Sequence, residues 1–230
     1  MNKKPTFSAF CFSLCFSMLS TGAFAGDFED AMHAMRDGNF AEAYCMLRPL
    51  AVSGDAEAQY NIGWMYLNGY GLAINDSLAL EWWQRAADQG YTDATFSLAM
   101  LYSLGEGQVK KDPDLALDYY LAAMDDDHED AIVIVKSMLL RDDKTIRLRA
   151  RAIVKKYADV LGEKHQVRVK RANIRSGPGQ QHKIRKVLDK GAVVIELMRE
   201  NKWSQIVLPE DDDILWVFSA LLEPYSDTID

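Results

Sequence analysis

The sequence predicts an α+β multidomain chain: an N-terminal all-α solenoid of helical hairpins followed by a small all-β barrel. Three observations carry the prediction. A segment in the first half repeats itself at a spacing of 36–37 residues with helical periodicity. Beyond Gly162 the apolar period shortens from helical to alternating. Charge changes along the same divisions: Gly26 to Asp130 carries 20 acidic and 5 basic side chains, Ala131 to His165 carries 9 basic and 4 acidic, and the remainder 10 of each.

Residues 1–25 read as a secretory signal peptide. Lys3 and Lys4 precede an apolar run from Phe7 to Leu19, and Ala23-Phe24-Ala25 supplies a small-x-small cleavage pattern. The run is shorter than the ~20 residues a membrane span needs. Cleavage between Ala25 and Gly26 leaves an exported chain with no stable membrane insertion. The destination expected for it is the periplasm. Cys11 and Cys15 leave with the leader, so Cys45 stands alone and stability must come from packing.

The repeats occupy the next segment, 26–141. Ala56 to Gly71 (AEAQYNIGWMYLNGYG) aligns with Thr92 to Gly107 (TDATFSLAMLYSLGEG), and Leu78 to Gly90 with Leu115 to Asp127. Ala58, Ile62 and Tyr66 lie at i, i+4 and i+8, the stripe of a half-buried helix, and Ala94, Leu98 and Tyr102 repeat it. Gly63 and Ala99 sit where a neighbouring helix crosses closely. Asp112 before Pro113 is an N-cap with proline at the first helical position, and Asn75 is the equivalent cap. The pattern A-x-x-x-L-G-x-x-Y-x-x-G-x-G, then D-x-x-x-A-x-x-W-x-x-x-A-A-x-x-G, resembles the Sel-1-like repeat, a relative of the tetratricopeptide repeat. Gly38 to Gly54 matches the second-helix half of a further unit, and Asp130 to Leu140 a terminal first helix in which Lys136 replaces the small crossing residue. The resemblance implies a concave face built by the first helices. On that analogy Tyr60, Trp64 and Asn68 in one unit, and Phe96, Met100 and Ser103 in the next, form a groove for a protein or peptide partner. Core packing is the competing reading for Tyr60 and Phe96.

Residues 142–165 form a linker with a basic amphipathic helix. Ile146, Ala150, Ile153, Tyr157, Val160 and Leu161 make its stripe. It reads as the last solenoid helix, with a membrane-surface helix as the alternative.

From Gln166 to Pro224 short alternating or β-branched runs (166–171, 192–197, 203–208, 214–218) are separated by turn signals, the pattern of a small barrel. Asn173 to Gly179 (NIRSGPG), Gly191, Trp203 with Ile206, and Trp216-Val217 resemble the bacterial Src-homology-3 domain. Leu215 and the acidic turn Glu210 to Asp213 depart from that family's closing glycine pattern, which predicts a wider last hairpin. NIRSGPG lacks the lysine and spacing of a phosphate loop and reads as a turn between strands. Residues 225–230 are a tail.

No catalytic constellation is visible. The four histidines match no zinc spacing, G-x-S-x-G is absent, and DDDHED (Asp125 to Asp130) has aspartate where a calcium loop needs glycine. The sequence therefore predicts no enzyme, metal or cofactor. The acidic first half argues against nucleic acid. What remains is an exported interaction scaffold of the bacterial cell envelope, or a wall-targeting protein whose barrel binds peptidoglycan. For the second reading Arg168, Lys170, Arg171 and Arg175 are the candidates to meet anionic wall polymers.

Overall fold

A computed structural model describes residues 24–105, 107–141, 144–147, 149–209 and 213–226. Residues 1–23 of the expected signal segment, residues 210–212 of the expected acidic turn and residues 227–230 of the expected tail lie outside them. The chain divides into two compact units, residues 1–128 and 129–230.

Among the described residues of the first unit six helices pair in sequence: α1 (Phe24–Arg36) with α2 (Phe40–Ser53), α3 (Ala56–Asn68) with α4 (Asp76–Ala87), and α5 (Thr92–Leu104) with α6 (Pro113–Asp125). Successive hairpins also pack, α2 on α3 and α4 on α5. Three starts are fixed by side-chain caps. The Ala58, Leu78 and Leu115 amides donate to Asp55, Asn75 and Asp112 at 2.7, 3.0 and 3.0 Å. Each satisfies a donor the helix cannot. Replacing Asp112 by alanine should cost about 1 kcal/mol, read by urea unfolding.

The repeat stripe is buried as its period demands: Ala58, Ile62, Ala94 and Leu98 are fully enclosed. Gly63 shows why the crossing position is small. A Cβ there would lie 2.5 Å from Trp83 Cδ1 and 2.6 Å from Nε1. That indole is itself fixed, because its N–H donates to the Tyr60 carbonyl at 3.0 Å.

The second unit joins helices α7 (Glu129–Leu140), α8 (Lys144–Arg147) and α9 (Ala150–Leu161) to a seven-stranded antiparallel sheet. The strands are β1 (Glu163–Val167), β2 (Arg171–Arg175), β3 (Ile184–Asp189), β4 (Val193–Glu200), β5 (Trp203–Val207), β6 (Leu215–Phe218) and β7 (Leu222–Pro224), in the order β3-β2-β6-β5-β4-β1-β7. Ala172 and Ile174 near one edge share a core with Leu222 at the other, so the sheet curls around a single interior. Helix α7, read from sequence as the end of the solenoid, packs here on α9 and β4.

The amphipathic stripe shared by α8 and α9 faces protein. Ile146, Ile153, Tyr157 and Leu161 are buried, as is Val154 outside the expected stripe, while Val160 is 45% exposed. Helical geometry breaks at Tyr157 (φ −116°, ψ 18°), three residues before the exposed Val160. The membrane-surface alternative is thereby corrected: the apolar face is already covered.

Two strand expectations also change. The run 166–171 is not one strand, because β1 stops at Val167 and the chain bends before β2. Of NIRSGPG, Asn173 to Arg175 complete β2 and the reversal starts at Ser176. Strand β3 was not expected at all. Its residues are almost all exposed, so no buried face imposes alternation on the sequence.

Candidate functional site

The first-helix positions of the two central hairpins carry a row of rings and thioether. Tyr60 is half-buried, with its ring centroid 6.4 Å from Trp83 and 5.3 Å from Tyr91. Trp64 stacks on Tyr70 at 4.5 Å, and the exposed Asn68 side chain donates back to the Trp64 carbonyl at 2.9 Å. In the next hairpin Phe96 stacks on His128 at 4.2 Å and meets Tyr120 edge-on at 5.8 Å. Met100 is 37% exposed, and its sulfur accepts the Tyr120 hydroxyl at 3.2 Å. Ser103 also bonds Tyr120, which turns it toward its own hairpin. Leu104, 54% exposed, instead continues the row. The 36-residue register that pairs Trp64 with Met100 equates Asn68 with Leu104, so the sequence held the signal that finds it.

Acidic groups gather at the N-terminal end of this row. Glu57 lies beside Asp55, Glu29 and Asp93, and its carboxyl is held above its ordinary value by burial and then by those three charges. Tyr91 is pushed up to about 12, first by burial and then by Glu57, Asp93, Tyr60 and Asp55. Asp93 reaches His128 Nε2 at 3.5 Å. Sequence reasoning missed Tyr91, Glu57 and Asp93, since turn residues and first-turn acids read there as solvated.

In the second unit Arg168, Lys170 and Arg171 are exposed. Arg175 is placed differently. Its Nη1 donates to the carbonyls of Gln180 and His182 at 3.0 and 2.7 Å, bracing the loop that NIRSGPG opens. Lys183, Arg185 and Lys190 stand exposed on the adjoining hairpin, which sequence reasoning did not see because it did not see β3. Arg185 lies 3.5 Å from Asp213.

A buried polar cluster joins three strands. His165 Nε2 is 3.3 Å from Glu196 Oε2, and both side chains are 8% exposed. Arg199 donates to both Glu196 oxygens at 2.8 Å, and the Ser204 hydroxyl donates to Oε1 at 2.6 Å. Ser204 Oγ is 2.8 Å from Ser219 Oγ, so its one proton goes to the carboxylate and it accepts from Ser219. An extra residue in β4 between Glu196 and Met198 sets this up, since a bulge re-aims side chains. Burial by itself would raise the Glu196 pKa. The hydrogen bonds of Arg199 and Ser204 and the charges of Arg199 and His165 outweigh it and hold the carboxyl low. The cluster opens onto a cavity of about 490 Å³ lined by Lys136, Val160, Glu163 and Met198 as well. The serine and the imidazole meet through the carboxylate and not each other, so this is the geometry of a brace between strands. Among the described residues no group of three or more histidine, cysteine or carboxylate side chains is placed to hold a metal.

Comparison with known proteins gives these units their relatives. The Sel1 repeat family model matches residues 56–91 and 92–128, and the bacterial SH3 domain model matches 170–223. The chain is similar to chitin synthase regulatory factor 2 of Schizosaccharomyces pombe, 32% identical over 92 residues, covering 40% of this chain and 18% of that protein. Among solved structures it is similar to a protective antigen of uropathogenic Escherichia coli displaying an SLR fold. That match has TM-score 0.52 and 23% identity, over 60% of this chain and 30% of that one. A Sel1 repeat protein from Oxalobacter formigenes matches with TM-score 0.47 and 22% identity, over 58% of this chain and 59% of that one. The chain thus spans under a third of the first two relatives. Sel1 repeats and SH3 domains are typically non-catalytic modules, pointing to protein–protein interaction and to cell-wall binding respectively. A bacterial SH3 domain also points to an extracytoplasmic protein, and among the described residues no helix is long and apolar enough to cross a membrane. Residues 56–128 thus carry two Sel1 repeats, and residues 170–223 a bacterial SH3 domain.

Proposed function

We propose that the protein is an exported, non-enzymatic adaptor of the bacterial cell envelope whose repeats hold a protein or peptide partner. The observation that carries this reading is the row Tyr60, Trp64, Phe96, Met100 and Leu104, part-exposed at equivalent positions of successive hairpins. Aromatic and thioether side chains bury much area for little lost freedom, which suits them to anchoring a partner. The leader pattern ending at Ala25-Gly26 supports export to the periplasm. The curated relative is named a regulatory factor, in keeping with an adaptor role for the repeats. A photoreactive side chain at Asn68 should yield discrete crosslinked adducts in intact bacterial envelopes. Trp64→Ala with Met100→Ala should abolish them, and adducts of unchanged yield would remove the groove from the reading.

The second unit gives the companion reading, peptidoglycan targeting. The exposed Arg168, Lys170 and Arg171 beside the bacterial SH3 fold support it. The full chain should pellet with purified wall sacculi. A variant with all three replaced by serine should stay largely in the supernatant if these cations make the contact. Pelleting of the variant at wild-type level would discard them.

A further inference from the structure

The aromatic row ends in carboxylates, and that end has a chemistry of its own. Tyr60 and Tyr91 stand ring to ring at 5.3 Å. Glu57, Asp93 and Asp55 act electrostatically on Tyr91, and Asp93 on Tyr60, so aromatic faces and acids occupy one patch. Glu29 and Asp55 also act on Glu57, which extends the patch onto α1 and the turn before α3. Glu57 and Asp93 are exposed, and they are equivalent residues of successive repeats. Within the patch His128 Nε2 approaches Asp93 at 3.5 Å, and the segment from Gly26 to Asp130 holds only 5 basic residues against 20 acidic. Mutual repulsion among such acids is relieved by an opposite charge brought from outside. The adjoining ring faces attract the same kind of group.

We infer that this patch receives lysine or arginine side chains of the bound partner, so that the groove selects a cationic peptide segment. The inference rests on the reading of the repeats as a protein-binding groove and names the partner's chemistry. The row of Trp64, Met100 and Leu104 takes the apolar side chains of that segment, and the Tyr60–Tyr91 end takes its charge. Complementary charge also speeds encounter and sets orientation along the groove.

The test uses the full chain and a fluorescent eight-residue peptide of alternating lysine and serine, followed by anisotropy at two salt concentrations. Glu57→Gln with Asp93→Asn should weaken binding at least ~10-fold, with a shallower salt dependence. Glu81→Gln with Asp114→Asn removes the same charge from exposed positions on α4 and α6 and should weaken it less than ~2-fold. Far-ultraviolet circular dichroism establishes that both variants fold. Equal losses in the two variants would overturn the proposal, because the peptide would then be answering the net charge of the unit. Absence of binding to the wild-type chain would overturn it also. If the crosslinks from Asn68 persist in either case, the groove reading stands and only the cationic specificity falls. Loss of both would take the groove with it. Affinity that rises with protein self-association, seen by light scattering, would assign the patch to the basic surface of a second copy and sink the peptide proposal.

Discussion

Gly63→Ala lowers the stability of the first unit by about 1–2 kcal/mol, against the sense of helix propensity. Alanine in place of glycine inside a helix ordinarily gains up to about 1 kcal/mol. Here the added methyl would stand 2.5–2.6 Å from the pyrrole edge of Trp83, which is only 3% exposed and hydrogen-bonded through its N–H. Overfilling a packed interior costs about 1–3 kcal/mol, so the loss exceeds the gain. The second repeat shows the remedy, since it carries Ala99 where the first has Gly63 and Tyr120 where the first has Trp83. Trp83→Tyr added to Gly63→Ala should therefore recover most of the loss, although each single change destabilises. A double-mutant cycle by urea unfolding, followed by circular dichroism, reads that coupling. A stabilised Gly63→Ala protein, or strictly additive changes, would show that the close crossing is not what keeps this position small.

Glu196→Gln has the larger effect on the second unit, about 2–4 kcal/mol. Removing the buried carboxylate takes its partner from the enclosed His165 and Ser204, and with it the charge-assisted paired hydrogen bonds from Arg199, whose own side chain is 51% exposed. The pH dependence follows from the direction of the shift. The Glu196 carboxyl is held below its ordinary 4.5. Its contribution is whole above about pH 4.5 and drains away as pH falls through the lowered value. The stability gap between wild type and variant should accordingly be full at pH 7 and narrow below pH 4.5. Urea titrations at pH 7, 5 and 3.5 measure it. A gap that does not change across that range would mean that shape, and not the ionised carboxylate, matters at this position.

Much of the molecule was legible in the sequence, for reasons that differ by element. Hairpins α3–α4 and α5–α6 announce themselves because each repeat must bury the same stripe against its neighbours, so Ala58, Ile62, Ala94 and Leu98 recur in register. The caps at Asn75 and Asp112 were readable because capping is local chemistry. Strand β3 was not, since an exposed edge strand carries no burial constraint to print on its residues. Trp64 and Met100 were singled out by spacing, and both are part-exposed. Leu104 was passed over for Ser103, though the spacing marked it and the structure turns Ser103 toward Tyr120.

The sequence by itself determined the two-part architecture, the repeat register and the family motifs, because each depends on residue type at short, regular spacing. Only the tertiary structure decided that α7 and α9 pack with the sheet. It alone gathered Tyr91, Glu57 and Asp93 beside Tyr60, and it alone joined His165, Glu196, Arg199 and Ser204 into one cluster. These groups come from separate turns, helices and strands, and a bulge in β4 helps aim the last of them. Their energies depend on burial and on distances across the fold, which no local pattern encodes.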